Sequence, residues 1–428
     1  MTCYTGVKAT ENRGDVMLTR RECLLAGSAA VLVPTTPGKS AESARIPDPA
    51  SPLPHKDAFF PFANTYLNCA SQHPVSRGAR RALDRYLDYK TFATDSDYSN
   101  GAVYNRNLEN YAQLINADVD EVAYVQSTTV GENLILKALN IPEGGGRIVT
   151  DDLHYLGSLP TYAELIKHGM DVITLRAEDG RIELEAFEKA INADTRLVSI
   201  SSVSMVNGFQ HDLRQICEMA HARGALVYAD VVHQVGSTPL DVRETNVDFC
   251  SAASYKWLMG EQGLGFLYAR KDRLAEIKRP WFGHYQLKQR HGLGFPSPVR
   301  HDEVVEYEHH ESALGLFAMG SQPNIIAAQL DYSLQYLLDV GVERIQLYRQ
   351  PLIDRLQERL PQLGYASITP RDSATALVSF RHDGDTQQLH DKLDAAKITL
   401  SVAEHHFRIS PSVFNDMDDI DKLIEALS

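Results

Sequence analysis

Two rhythms of apolar residues run along this chain. Short runs of strand length, EVAYVQ (121–126), RIVTD (147–151), DVITLR (171–176), RLVSISSVS (196–204), ALVYAD (225–230), VDFCSAA (247–253) and GLGFLYA (263–269), are set apart by polar or Gly- and Pro-marked turns. Between them, apolar residues at helical spacing predict helices at about 158–168, 184–191 and 211–224, the last closed by Gly224. Val130, Leu134 and Leu139 predict another that starts at Thr128 and Thr129. This alternation predicts an α/β fold with a mostly parallel central sheet and helices on both faces. Nearer the C-terminus the pattern changes to long helices at about 324–340 and 343–360, then strand, helix, strand and helix from Ala374 to Leu427, a smaller α+β domain. The expected divisions are a signal region at 1–44, an N-terminal segment at 45–90, a large domain at 91–295, and a connecting segment with the small domain at 296–428.

At 428 residues the chain exceeds what one core normally supports, in keeping with a large and a small domain. A net charge of −14 without a basic stripe argues against nucleic acid as a partner. Cys3, Cys23, Cys69, Cys217 and Cys250 form neither a CxxC pair nor a zinc spacing, so disulfides are not expected to staple the fold. EHHE (308–311) lacks the spacing of a metal motif, and no metal is expected. GLG at 263–265 precedes an apolar run where a dinucleotide fingerprint must follow one, and there is no GxxxxGK[ST], so neither NAD nor ATP is indicated. MLTRRECLLAGSAAVLVPTTPGKSAESA, with Arg20 and Arg21 ahead of an apolar segment from Leu24 to Val33, resembles a twin-arginine secretion signal. That segment is too short to span a bilayer, so the mature protein is expected to lack a membrane span and to be exported already folded, to the periplasm or beyond. If the segment is not a functional signal, the protein stays in the cytoplasm.

The chemistry concentrates between Ala225 and Ala269. Asp230 ends one strand and Lys256 lies just beyond the next, and in open α/β sheets the carboxyl ends of strands border the ligand crevice. A lysine that forms a Schiff base and an aspartate that pairs with a pyridinium nitrogen are the two groups pyridoxal phosphate (PLP) demands. With DVVH (230–233), DFCSAASYKW (248–257) and FRISPSVFN (407–415) in this order, the chain resembles fold type I PLP enzymes of the class V aminotransferase and cysteine desulfurase group from about residue 60 onward. KWL (256–258) and SVSMVNGFQHDL (202–213) resemble the isopenicillin N epimerase-like branch of that group.

The resemblance implies a homodimer with shared active sites. It assigns Ser127, Thr128 and Thr129 to the cofactor's phosphate, where a helix N-terminus favours an anion, and Tyr155, with His154 beside it, to stacking on the ring. Ser321 would reach the phosphate of the partner subunit, Asn68 to Ser71 would line the substrate pocket, and Arg408 would bind the substrate α-carboxylate. The chain departs from the desulfurase pattern at Met205, where those enzymes place an Asn against the cofactor's phenolic oxygen, and at Ala253 and Tyr255, where they place Ser and His. Ser254 and Tyr255 are the expected replacements as phosphate donors, and His233 or Gln234 as the phenolate partner.

Lys256, Asp230 and Tyr155 are the expected catalytic residues, Tyr155 as the opposite-face acid should the enzyme racemise. The expected function is an aminotransferase acting at the α-carbon of an amino acid. An epimerase or racemase, or a C–S lyase, shares the same carbanion chemistry and comes second, and a non-catalytic PLP-fold binding protein comes third. Persulfide transfer through a protein thiol is not expected, because the stretch from Trp281 to Pro323 has no cysteine and Cys250 lies in a strand predicted to be buried.

Overall fold

The computed structural model describes residues 48–93, 97–291, 306–318 and 320–428; the signal-like segment, with the expectation of export, lies outside them. In chain order the strands are β1 (Thr65–Tyr66), β2 (Val122–Val125), β3 (Arg147–Asp151), β4 (Asp171–Leu175), β5 (Thr195–Ser201), β6 (Leu226–Asp230), β7 (Phe249–Ala253), β8 (Gly265–Ala269), β9 (Leu287–His291), β10 (Glu306–His309), β11 (Val378–Arg381), β12 (Ile398–Thr399), β13 (Ser401–Val402) and β14 (His406–Ile409). The helices are α1 (Arg77–Phe92), α2 (Asn100–Leu114), α3 (Thr128–Ala138), α4 (Leu159–Lys167), α5 (Leu184–Ala190), α6 (Leu213–His221), α7 (Val242–Thr245), α8 (Ala313–Phe317), α9 (Asn324–Val340), α10 (Val342–Arg359), α11 (Thr386–Ala395) and α12 (Met417–Leu427).

The central sheet has the order β2-β8-β7-β6-β5-β3-β4. Strands β3 to β7 are parallel, and β8 runs antiparallel between β7 and β2. Two reversals return β2 to the common direction, so the carboxyl ends of β2, β5, β6 and β7 share one edge. Successive residues feed opposite layers: Leu197, Tyr228 and Phe249 join α3 and α4 on one face, while Val198, Val227 and Cys250 join α2, α5, α6 and α9 on the other. Burial on both faces explains why these strands read as continuous apolar runs.

The C-terminal portion is an antiparallel sheet, β11-β14-β13, packed with α10, α11 and α12 around Leu356, Phe380, Phe407 and Leu423. The N-terminal segment is tied to it. β1 pairs in parallel with β12, and Asn68 bridges Ser410, so residues near position 70 come to lie beside the FRIS motif.

Two features depart from the sequence reading. The polar stretch NGAVYNRNLENYAQL forms α2, capped by Ser99 and buried along Val103, Asn107, Leu108 and Tyr111, with the Asn107 amide donating to the Ala327 carbonyl at 3.0 Å. The connection after Trp281, for which the sequence predicted no elements, carries β9 paired with β10, and α8 follows. No helix among the described residues is long and apolar enough to cross a membrane, and no cluster of three or more His, Cys, Asp or Glu there has the arrangement to hold a metal.

Candidate functional site

Asp230 closes β6, opposite Ser201 on β5 and Ser251 on β7. Its carboxylate accepts the Val232 N–H at 2.9 Å, and burial pushes its pKa up against the opposing effects of that bond and of Lys256. Lys256 lies in the turn after β7, its carbonyl accepting the Met259 N–H. The turn after β6 approaches this segment so closely that a Cβ on Gly236, which has φ +85°, would meet the Trp257 carbonyl oxygen at 2.6 Å. This approach brings His233 Nε2 to 2.9 Å from Lys256 Nζ. Burial lowers the Lys256 amine from its ordinary 10.5 to about 8; Asp230 opposes the shift and Arg408 adds to it. Burial, Lys256 and Arg408 hold His233 well below its ordinary range, so the imidazole is neutral and its Nε2 accepts from the amine, while Nδ1 is buried without a partner among the described residues. Gln234 is turned away, its amide donating to the Pro239 carbonyl, which leaves His233 as the group facing Lys256.

A second cluster forms where the first and last described segments meet. Arg408, on β14, is 6% exposed; Nη1 donates to the Met205 carbonyl at 2.9 Å and Nη2 to Ser71 Oγ at 2.8 Å. Ser71 donates in turn to Asn68 Oδ1 at 2.8 Å. Arg408 Nε is buried without a partner among the described residues, and burial lowers the guanidinium to about 10, with Tyr255 opposing. The nearby acids do not satisfy it: Asp416 and Asp419 pair with Lys56 and with the capping box of α12. Met205 contributes its carbonyl here, a role its side-chain type does not reveal.

The remaining predicted residues divide. Ser127 caps α3, accepting the Val130 N–H, and with Thr128 and Thr129 forms the helix start beyond β2, on the same sheet edge as Asp230. Tyr155 is half-buried, its N–H donating to Ser201 Oγ at 3.1 Å, and its ring lies against Gly157, where a Cβ would meet it at 2.5 Å. His154 is not beside it in the pocket: fully buried, it faces Glu132 and Ser201. Ser254 does not fit the expected role of phosphate donor, because it is fully buried and its hydroxyl is spent on the Glu261 carbonyl at 2.8 Å. Tyr255 sets its ring 5.5 Å from Lys256 Nζ, and burial foremost, with Tyr155 and Asp230, raises its phenol while Arg408 opposes. Ser321 is exposed ahead of α9, and its expected role concerns a second chain.

The donor set fits PLP. A buried amine neutral above about pH 8 suits an aldehyde, a buried carboxyl needs a cationic partner, and a helix N-terminus on the same sheet edge suits a phosphate. The sequence matches the family model described as aminotransferase class-V over residues 80–423. A cysteine desulfurase of Haloferax volcanii is 26% identical over 417 residues, covering 89% of this chain and 92% of the relative. An uncharacterised aminotransferase of Schizosaccharomyces pombe is 24% identical over 375 residues, 85% of this chain and 91% of the relative. Among solved structures, the cysteine desulfurase CsdA of Escherichia coli has a TM-score of 0.75 at 20% identity, over 87% of this chain and 96% of that one. A lysine-to-alanine mutant of C-DES, with glycine covalently linked to PLP, has a TM-score of 0.75 at 20% identity, over 85% and 96%.

Proposed function

Because the chain belongs to the aminotransferase class-V family, we propose that it removes the α-proton of an amino acid bearing sulfur at Cβ and releases that sulfur by β-elimination. The protein is a PLP-dependent enzyme of the class V fold. When bound, the cofactor supplies an electron sink for the α-carbon. Arg408, held by Met205 and Ser71, grips the α-carboxylate in a fork that fixes the direction of the Cα–H bond. Lys256 takes the α-proton, and His233, its neutral neighbour, accepts a hydrogen bond from the amine and so orients it, while burial lowers the amine's pKa. Asp230 presents a carboxylate to the ring nitrogen. In net terms the substrate and one water give a keto acid, ammonia and hydrogen sulfide, a thiol or a persulfide, according to the group on the sulfur.

The observation that carries this reading is the absence of an accessible thiol among the described residues. The relatives include cysteine desulfurases, and a solved neighbour is titled a cystine C–S lyase in complex with cysteine persulfide. Here Cys69, Cys217 and Cys250 are all buried, and burial foremost raises each thiol, so no thiol among the described residues is placed to take up the sulfur, which leaves in solution. Transamination, the sequence expectation, is the second reading: it uses the same proton transfer, and a relative is named as an aminotransferase. Holoenzyme given cysteine, cystine or S-alkyl cysteines should form sulfide, persulfide or thiol respectively, with keto acid and ammonia in equal amounts and without an acceptor. Turnover that requires an added keto acid and leaves the C–S bond intact establishes transamination instead. Export of the folded, cofactor-loaded protein by the twin-arginine route is likewise our proposal for residues 1–44.

A further inference from the structure

Beneath Tyr155 lies a polar chain that the reaction described above does not use. Glu132 sits on the buried face of α3, one turn beyond Thr128, and is 2% exposed. Its Oε1 accepts from His154 Nε2 at 3.1 Å, from Ser199 Oγ at 3.1 Å and from the Tyr162 hydroxyl; its Oε2 accepts from Ser158 Oγ at 2.5 Å. His154 is fully buried, and its Nδ1 lies 2.9 Å from Ser201 Oγ. The same oxygen accepts the Tyr155 N–H at 3.1 Å, and Ser201 is the register partner of Asp230. Burial opposes charge on both partners. Glu132 nevertheless stays below its ordinary carboxyl range through His154, Ser158 and Tyr162, and His154 stays above 6.5 through Glu132, Asp151 and Asp230. Both shifts favour the ion pair, in which both imidazole nitrogens donate.

A buried ion pair is a poor way to gain stability, since well-packed apolar groups of equal volume do as well or better. What it supplies is fixed geometry. The chain from Glu132 through His154 to Ser201 connects three pieces of the site: the helix whose first turn faces the phosphate, the strand partner of Asp230, and the backbone of Tyr155. The loop carrying Tyr155 needs such a hold, because its tip at Leu156 and Gly157 is exposed and Tyr155 itself is only partly buried.

We infer that the Glu132–His154–Ser201 chain is a positioning device that locks Tyr155 in place against the face of the bound cofactor and couples that lock to the phosphate-binding turn. The inference rests on the reading of this cluster as the PLP site. It acts through Tyr155, so loss of any link should resemble loss of the ring. Glu132→Gln removes the charge that holds His154, and Ser201→Ala removes the oxygen that joins His154 to the Tyr155 backbone at small cost in volume.

The test uses holoenzyme of the wild type, Glu132→Gln, Ser201→Ala, Tyr155→Ala and the double variants with Tyr155→Ala. It reads the rate of cofactor release, the visible circular dichroism of the bound cofactor and the melting temperature after the cofactor is removed. Both single variants should bind one cofactor per chain, release it on the order of tenfold faster, as the loss of one hydrogen-bonded link implies, and lose much of the visible dichroism. Added to Tyr155→Ala, neither should change release or dichroism further, because the effects run through one side chain. A lowered melting temperature with release and dichroism as in the wild type, or effects that add to those of Tyr155→Ala, overturns the inference and leaves the chain a structural element. Should Glu132→Gln fail to fold, Ser201→Ala decides by the same readouts. Wild-type protein that takes up no cofactor overturns the site reading itself, and that failure shows before any variant is compared.

Discussion

Arg408→Leu keeps much of the side-chain volume and removes the fork. In the free protein this arginine makes two hydrogen bonds, to Met205 and Ser71, and no ion pair among the described residues. Their loss, at about 1 kcal/mol each, is offset by no longer burying a guanidinium whose pKa burial already lowers to about 10, so the fold should weaken by no more than about 2 kcal/mol. The substrate carboxylate, by contrast, loses its desolvated partner. Truncation of one side of such a pair costs about 2–5 kcal/mol, which is roughly 30- to 5,000-fold in kcat/KM. Steady-state rates with a good amino-acid substrate, set beside those with the matching amine that lacks a carboxylate, separate anchoring from general damage. The amino acid should lose most of its advantage over the amine while cofactor content and the melting curve stay near the wild type. Retained discrimination between the two, or loss of cofactor, refutes the reasoning.

Reduction of the holoenzyme with borohydride and peptide mapping should place the pyridoxyl group on Lys256; a label on any other lysine contradicts the assignment. In the cofactor-free protein the Lys256 amine is charged up to about pH 8 when folded but up to its ordinary 10.5 when unfolded. Stability therefore rises with pH across that window, and the full penalty applies below it. Lys256→Met should consequently stabilise the cofactor-free protein by on the order of 3 kcal/mol at pH 7, with the gain vanishing near pH 10.5; denaturant curves at several pH values that show a constant difference exclude this cause. Sulfur release from cysteine should survive replacement of Cys69, Cys217 and Cys250 in turn, and turnover abolished by any one of these would establish a protein persulfide.

The strands that carry Asp230 and precede Lys256 were legible because both faces of the sheet are covered, which makes each strand an uninterrupted apolar run ended by a polar residue. Position at a strand end was thus enough to bring an acid and an amine to one crevice. Helix α2 was not legible, since its buried face includes Asn107 and its partner Ala327 lies far along the chain. Ser254 misled for a local reason. Adjacency to Lys256 says nothing of direction, and the turn that follows folds back so that the Glu261 carbonyl takes its hydroxyl. Glu132 did leave a signal: a carboxylate three residues before Ile135 and four after Thr128 falls on the same buried helical face, where an acid persists only with partners. Those partners, His154 and Ser158, stand on a loop whose approach to α3 only the tertiary fold decides.

The pairing of the segment around Asn68 with β12 and Ser410 ties the two ends of the described chain together at the site. Synthesis delivers Asn68 and Ser71 first, the strands bearing Asp230 and Lys256 in the middle, and Arg408 almost last, so the grip on the carboxylate joins the two ends of the described chain across the finished sheet. A nascent polypeptide that has emerged only as far as Ala269 already has the aspartate, the lysine and the phosphate turn, and lacks the fork that admits an amino acid. The carboxylate grip therefore exists only where the two ends of the described chain have met, and a truncation that removes the last strand leaves the aspartate and the lysine without it.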